Sequence, residues 1–392
     1  MIAEKKKEKT RLFHLVKRTE YPAWKGWIIR IIAVVIALFI GSLVCAIVSG
    51  GASFGKFTTY MIDSVFGGSG RRLLNLFQNT AIMLIIALAL SPAFKMKFWN
   101  IGAEGQVLMG ALGSAVCVME FGDKVSEPVL LLIMFAMSVT FGVAWSVIPA
   151  IFKAQWNTNE TLFTLMMNYV AMQIVNICIA VWIKSGSGIM PAQQTGRLPL
   201  IGGQNYILNI IIVAIVTVLM FIYFRFSKHG YELTVVGESQ NTAKYVGINI
   251  KKVIIRTMVL GGVLCGLAGY LLFAGTNYMI SADTVQSRGF TAILVAWLGK
   301  FNPFMMAFTS LLYTFIDQGS AHLATNFFPG SNSFSDIITG IFFFFVIGSE
   351  FFINYKIVFH KKKDKNKGKT AQTAAENSLN NQVTADTKEV KA

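Results

Sequence analysis

Glu104 is the side chain here that most needs a chemical partner, because it stands near the start of an apolar stretch that opens Asn100-Ile101-Gly102-Ala103-Glu104-Gly105-Gln106. A carboxylate at the centre of a bilayer costs on the order of 2.5–3.5 kcal/mol on insertion scales, so something must compensate for it. Two roles fit its position. In one it faces a polar pathway or pins two halves of a broken helix; in the other it caps backbone amides near a helix N-terminus and packs on a neighbouring helix. Gln78, Asn79, Gln106, Asn168, Gln173, Asn176, Asn277, Asp317 and Gln318 also fall within apolar runs. As a set they suit a route for a polar, neutral solute, whereas singly each suits an interhelical hydrogen bond worth roughly 0.6 kcal/mol. Asn79, Glu104, Gln106, Asn168, Asn176 and Asp317 are the candidate pathway residues.

Other chemistry finds little footing. His14, His229, His322 and His360 are scattered without ligand spacing, which predicts no metal centre. No paired carboxylates and no Ser/His/Asp arrangement fall within one plausible site, so no catalytic site and no cofactor are expected. Gly50-Gly51-Ala52-Ser53-Phe54-Gly55-Lys56 fits seven positions of a phosphate-binding loop, but Phe57 stands where a hydroxyl should meet magnesium. Cys45, Cys117, Cys178 and Cys265 lie in apolar runs and read as packing residues. Few ionisable or cation-coordinating groups sit mid-span, as a carrier driven by protons or sodium commonly needs. The driving energy is therefore expected from another subunit.

The elements that hold these residues are membrane spans. Of 392 residues, 54% are hydrophobic and 14% charged, and mean hydropathy is +0.57. The apolar residues gather in runs near the length that crosses about 30 Å of hydrocarbon as helix. Ten such segments fall at about 28–49, 73–93, 99–119, 129–151, 161–183, 206–225, 253–275, 286–300, 303–321 and 334–354. The expected fold is an all-α integral membrane protein, a polytopic bundle of about ten transmembrane helices. It includes a broken helix, the third segment, and a short partial span, the eighth. Polar, glycine-rich backbone at that depth has to be buried in protein or line a cavity.

The net charge of +16 sorts by side. With spans alternating from a cytoplasmic N-terminus, 28 of the 35 Lys and Arg fall inside, and Lys56, Arg71, Arg72, Lys124, Lys184, Arg197 and Arg288 fall outside or near the outer boundary. This bias orients both termini to the cytoplasm and accounts for the charge without nucleic acid. The first run follows too long a basic segment for a signal peptide and reads as a retained span. Residues 1–27 form a basic N-terminus, 28–355 the transmembrane domain and 356–392 a tail. From 361 onward that tail lacks the apolar side chains to offset ordering entropy and is expected to be disordered. The connection 226–252 is long and polar enough to fold by itself, with Ser239 to Tyr245 reading as a helix and Gly247 as its C-cap. The connection from Lys184 to Asn205, rich in Gly, Pro and Gln, reads as an irregular outer loop.

Several ordered motifs resemble one family: permeases of bacterial ATP-binding cassette (ABC) importers of the ribose and branched-chain amino acid type, and most closely their nucleoside branch. They are Asn100-IGAEGQVLMGALGSA, then Gly230-YELTVVGESQNTAKYVGINIKKV through GGVLCGLAGYLLFAG to Gly289-FTAILVAWLGKFNP, and Asn159-Glu160-Thr161 with Leu165-Met166-Met167-Asn168-Tyr169. The similarity covers about residues 30 to 355; Thr161 replaces a usual Val, and Thr234 a frequent basic residue. The resemblance implies a translocation subunit in the bacterial cytoplasmic membrane, paired with a second permease, expected as a heterodimer. Two ABC ATPase subunits would drive it and a substrate-binding lipoprotein would deliver a nucleoside. It also implies that a loop with Gly237, Glu238, Ala243, Tyr245 and Gly247 docks into the ATPase and moves the spans as rigid bodies. A simple sugar such as ribose is the alternative solute, and a stand-alone secondary transporter the alternative class.

Overall fold

The computed structural model describes residues 13–17, 23–49, 54–68, 70–183, 186, 188–204, 206–327 and 332–359. In chain order these hold β1 (Phe13–Lys17), α1 (Ala23–Ser49), α2 (Phe54–Phe66), α3 (Gly70–Lys95), α4 (Ala103–Phe121), α5 (Glu127–Trp156) and α6 (Glu160–Trp182). There follow α7 (Ile207–Phe226), α8 (Lys228–Glu238), α9 (Gln240–Tyr245), α10 (Ile250–Leu272), α11 (Arg288–Leu298), α12 (Pro303–Phe327), α13 (Asn332–Asn354) and β2 (Tyr355–Phe359). The chain is a polytopic helical membrane protein. Every one of the ten apolar segments holds a helix, and seven helices among the described residues are long and apolar enough to cross a bilayer. The helices of the remaining three segments are α4, α11 and α12. With 11 residues, α11 is about 16 Å long, roughly half the hydrocarbon thickness.

Two helices lie outside the expected set. In α2, Phe57, Met61 and Val65 recur every fourth residue and form a buried stripe on a helix of 13 residues. It packs on α12, and its amphipathic pattern is too short and too polar to read as a span. The other is α8, which extends the folded part of the 226–252 connection beyond the helix expected there.

The chain divides into two compact units, one of residues 1–37 and 344–392 and the other of Leu38–Phe343. In the first, β1 and β2 pair antiparallel with Phe13 opposite Phe359 and Lys17 opposite Tyr355. Both strands are rich in β-branched and aromatic residues, which favour a pleated pair over a coil. β2 takes in Lys356 to Phe359, so the tail boundary drawn at 356 falls inside a strand. Arg30 on α1 and Glu350 on α13 form an ion pair, Nε to Oε1 at 2.9 Å. Residues 1–12 and 360–392, and with them most of the basic N-terminus and the expected disordered tail, lie outside the described residues, as do Gly50 to Ser53 of the phosphate-loop look-alike.

In the second unit the centre is held by α3 and α10: 72% and 78% of their most apolar windows are buried, against 22–28% for α5, α6 and α7. The peripheral helices thus keep apolar faces for lipid. α4, α5 and α10 meet across small residues, and Gly142 shows why: a Cβ there would stand 2.7 Å from Gly266 Cα. At the same crossing the buried Ser138 Oγ lies 2.6 and 2.7 Å from the carbonyl oxygens of Gly110 and Gly266. Backbones that approach this closely gain dispersion contact in a solvent that offers no hydrophobic force between helices.

Candidate functional site

The site grows from the first turn of α4. Before it the chain runs Trp99-Asn100-Ile101-Gly102 without helical hydrogen bonds, and buried side chains satisfy the freed backbone. Asn168 on α6 does most of this: its Oδ1 accepts the Gly105 N–H at 2.9 Å, while its Nδ2 donates to the Ile101 carbonyl at 2.9 Å. Ile101 N–H donates to Thr164 Oγ1 at 3.1 Å, and Gly102 N–H to Asn100 Oδ1 at 2.9 Å. Gln106 lies with its amide on that of Asn100, at 3.3 Å. Gln106 and Asn168 are both 1% exposed. Their polar groups hold the start of α4.

Glu104 is 2% exposed and turns to a different helix. Its Oε1 accepts the N–H of Ser287 at 2.9 Å and its Oε2 that of Gly289 at 2.7 Å. Gln286 and Ser287 carry φ of 56° and 58°, and this left-handed pair aims the N–H groups of Ser287 and Gly289 at the carboxylate while those of Gln286 and Arg288 stay on the carbonyls of Asp283 and Val285. Such a backbone costs of order 1–3 kcal/mol per residue and persists only where its surroundings enforce it. The carboxylate does so, capping α11 from a separate helix and answering its positive end. Of the two roles open to Glu104, amide capping is the one observed, directed across the bundle rather than onto α4.

Arg288, the first residue of α11, draws three more helices together. Its Nη2 donates to Asn79 Oδ1 on α3 and to Gln286 Oε1, both at 3.2 Å. Asn79 Nδ2 in turn donates to Asn75 Oδ1, one turn earlier, at 3.2 Å. Tyr313 and Asp317 of α12, and Glu104, lie within charge–charge range of the guanidinium. One position before Asn79, Gln78 is wholly buried; its Nε2 donates to Thr276 Oγ1 at 2.6 Å and its Oε1 has no partner among the described residues. Thr276 sits in a π-helical turn, Phe273–Asn277, that ends α10 and lets its hydroxyl reach the Leu271 carbonyl at 3.3 Å. Such turns recur at functional sites because they re-aim side chains out of helical register.

Of the six candidate pathway residues, the fold gathers Asn79, Glu104 and Asp317 about Arg288. Gln106 and Asn168 serve the α4 start, and Asn176 is exposed with Gln173 as its one hydrogen-bond partner among the described residues, at 3.4 Å. Arg288 itself is absent from that set, since a cation flanking an apolar run reads as a boundary charge. The signal was present in Ser287-Arg288-Gly289 at the head of a segment too short to span.

At the opposite end of α3, the 226–252 connection folds as α8 and α9. Ser227, Ser239 and Asn249 each cap a helix, accepting the N–H of Gly230, Thr242 and Lys252 at 2.9, 3.2 and 3.2 Å. Leu233, Val236 and Ala243 share a buried cluster with Ala93, Met96, Ala150, Val253 and Met258, which ties α8 and α9 to the ends of α3, α5 and α10. Gly237 is required there: a Cβ would overlap the Lys95 carbonyl that closes α3. Val246 is the C-cap of α9, and Gly247, expected there, stands one residue later at C′ with φ +81° and open space around it. Glu238 is exposed and Tyr245 is 92% exposed. His229 is hydrogen bonded through Nδ1 to the Tyr223 hydroxyl, and burial holds its pKa below the usual histidine value.

Residues 72–347 match the family described as the permease component of branched-chain amino acid transport systems. A glucose ABC transporter permease protein of Haloferax volcanii is 27% identical over 87% of this chain and 92% of its own. A nucleoside ABC transporter permease protein of Lactococcus lactis is 27% identical over 81% and 90%, and a guanosine ABC transporter permease protein of Bacillus subtilis 29% identical over 69% and 79%. The last two organisms each hold a second permease protein of the same description, 23% identical to this chain over 55% of its length.

Proposed function

The chain belongs to the family of permease components of branched-chain amino acid transport systems, and on that premise we propose that it is the membrane subunit of an ABC importer carrying nucleosides. What carries the nucleoside reading is the naming of two of the relatives that match most of the chain. About Arg288 the Asn79 amide and the Tyr313 hydroxyl stand with the Asp317 carboxylate, a set of mixed sign and hydrogen-bonding character that agrees with an uncharged solute. In this reading α8 and α9 face the cytoplasm and dock on a separate ATPase. Gly237 lies on the end of α3, so a displacement of α8 passes into the helix that carries Gln78 and Asn79. A lipoprotein delivers the solute from outside. The partner is a second, different permease, as the paired proteins of Bacillus subtilis and Lactococcus lactis suggest.

A second reading, a simple sugar as solute, rests on the glucose permease protein of Haloferax volcanii. Uptake of labelled guanosine, uridine, ribose and glucose, compared between cells with and without this chain, separates the two. Loss of nucleoside uptake alone is expected. Loss of sugar uptake with nucleoside uptake intact would replace the first reading with the second.

A further inference from the structure

We propose that Arg288 and Asp317 form a solute-recognising pair, in which the Asp317 carboxylate accepts two vicinal hydroxyls and the Arg288 guanidinium donates to an acceptor on the same solute. The inference rests on the nucleoside reading and adds the groups that recognise it. α3, α11 and α12 pack on one another, and their polar residues Asn79, Arg288, Thr291, Tyr313 and Asp317 are all half-buried. An aspartate facing lipid at a helix centre, where Asp317 stands in α12, costs about 2.5–3.5 kcal/mol. The open side of Asp317 therefore faces a polar space, not hydrocarbon.

Both charges keep unused hydrogen-bonding capacity. Only Nη2 of Arg288 is engaged among the described residues, which leaves Nε and Nη1 free to donate. Asp317 has no hydrogen-bond partner there, and the two ion pairs among the described residues, Arg30–Glu350 and Lys153–Glu160, do not include it. Glu104 does not compete for the guanidinium, because both its oxygens are taken by backbone N–H groups. Opposite charges in mutual range with no ion pair between them can be bridged by a solute. A carboxylate accepts from two adjacent O–H groups, as a guanidinium donates to a carbonyl or ring nitrogen. Arg288 and Asp317 offer one group of each sign, which suits a solute without net charge of its own. The solute class is then a neutral molecule with a cis-diol and a separate acceptor, which describes a ribonucleoside.

The test is ATP-driven uptake of guanosine and 2′-deoxyguanosine by the full complex in proteoliposomes, with Asp317→Asn and Arg288→Lys, assembly being checked by co-purification of the ATPase subunits. The wild type is expected to prefer guanosine. Asp317→Asn should raise KM for guanosine roughly 10- to 100-fold, as loss of a hydrogen bond to a charged group does, and bring the preference close to one. Arg288→Lys should raise KM for both. A variant Asp317→Asn that slows both solutes equally and keeps the preference overturns the proposal. A wild-type complex that imports glucose and no nucleoside overturns the nucleoside reading on its own. The pair is then read on glucose and 2-deoxyglucose, where a preference kept by Asp317→Asn again overturns it.

Discussion

The carboxylate of Glu104 receives the backbone N–H of Gly289 at 2.7 Å, across 185 residues of sequence. Through this bond the first turn of α4 holds the first turn of α11. A Cβ on Gly289 would stand 2.7 Å from Glu104 Cα, so the two helix starts abut with no room for a side chain. The start of α4 is in turn held by Asn168, and that of α11 leads into Arg288. Several consequences can be measured.

Glu104→Ala leaves the N–H groups of Ser287 and Gly289 buried without acceptors. Each orphaned donor costs about 1–3 kcal/mol, and the left-handed pair at Gln286 and Ser287 loses what enforces it. Thermal unfolding of the purified chain in detergent should shift down by several degrees. An unchanged midpoint would show that the two helix starts do not depend on the carboxylate.

Asn168→Ala removes two hydrogen bonds from the backbone before α4 and should lower stability by on the order of 1–3 kcal/mol. Asn176→Ala, on the same helix but exposed, should stay within about 0.5 kcal/mol of the parent. Equal losses in the two variants, measured in the same unfolding assay, would contradict this division of roles.

Gly237→Val drives a side chain into the Lys95 carbonyl and should part α8 from α3. ATP hydrolysis by the assembled complex should continue while uptake falls, which uptake and hydrolysis measured side by side would show. Gly247→Val should act similarly through backbone strain of about 1–2 kcal/mol, and Glu238→Lys through charge at the docking surface. Uptake that stays coupled in all three would dissociate α8 and α9 from transmission.

His229 supplies a pH dependence. Burial lowers its pKa in the fold relative to the unfolded chain, where it titrates near about 6.5. Folding therefore favours the neutral ring. Its stability contribution is complete above the unfolded pKa and is lost as pH falls through the folded one. Hydrogen exchange at the amides of α8 should quicken as pH drops below about 6.5, after correction for the intrinsic exchange rate, and His229→Gln should remove that response.

The sequence was most legible where the deciding chemistry is local. Ser239 and Gly247 announce α9 through cap residues at its two ends, and the apolar runs locate the long helices by length alone. Glu104 stands out because a carboxylate in such a run demands a partner. Its partner could not be read, since Ser287 and Gly289 meet it only after α4 and α11 are packed together. Arg288 escaped notice for a related reason: in a linear reading it flanks a segment, whereas in the fold it lies among Asn79, Tyr313 and Asp317. Asn176 is the opposite case. Eight residues after the buried Asn168 it lies about 12 Å further along α6 and is turned by about 80° around it, so it shares neither depth nor direction with Asn168.

The account depends most on α8 and α9 being an inward-facing handle for a separate motor. Tyr245, 92% exposed at the tip, is the place to test it: Tyr245→Cys is treated with a membrane-impermeant maleimide in intact cells and in inside-out vesicles. Cys45, Cys117 and Cys265 are buried, so labelling above that of the parent chain reports the new thiol. Labelling confined to inside-out vesicles, and blocked there by bound ATPase subunits, is the predicted result. Labelling of intact cells from outside would contradict it.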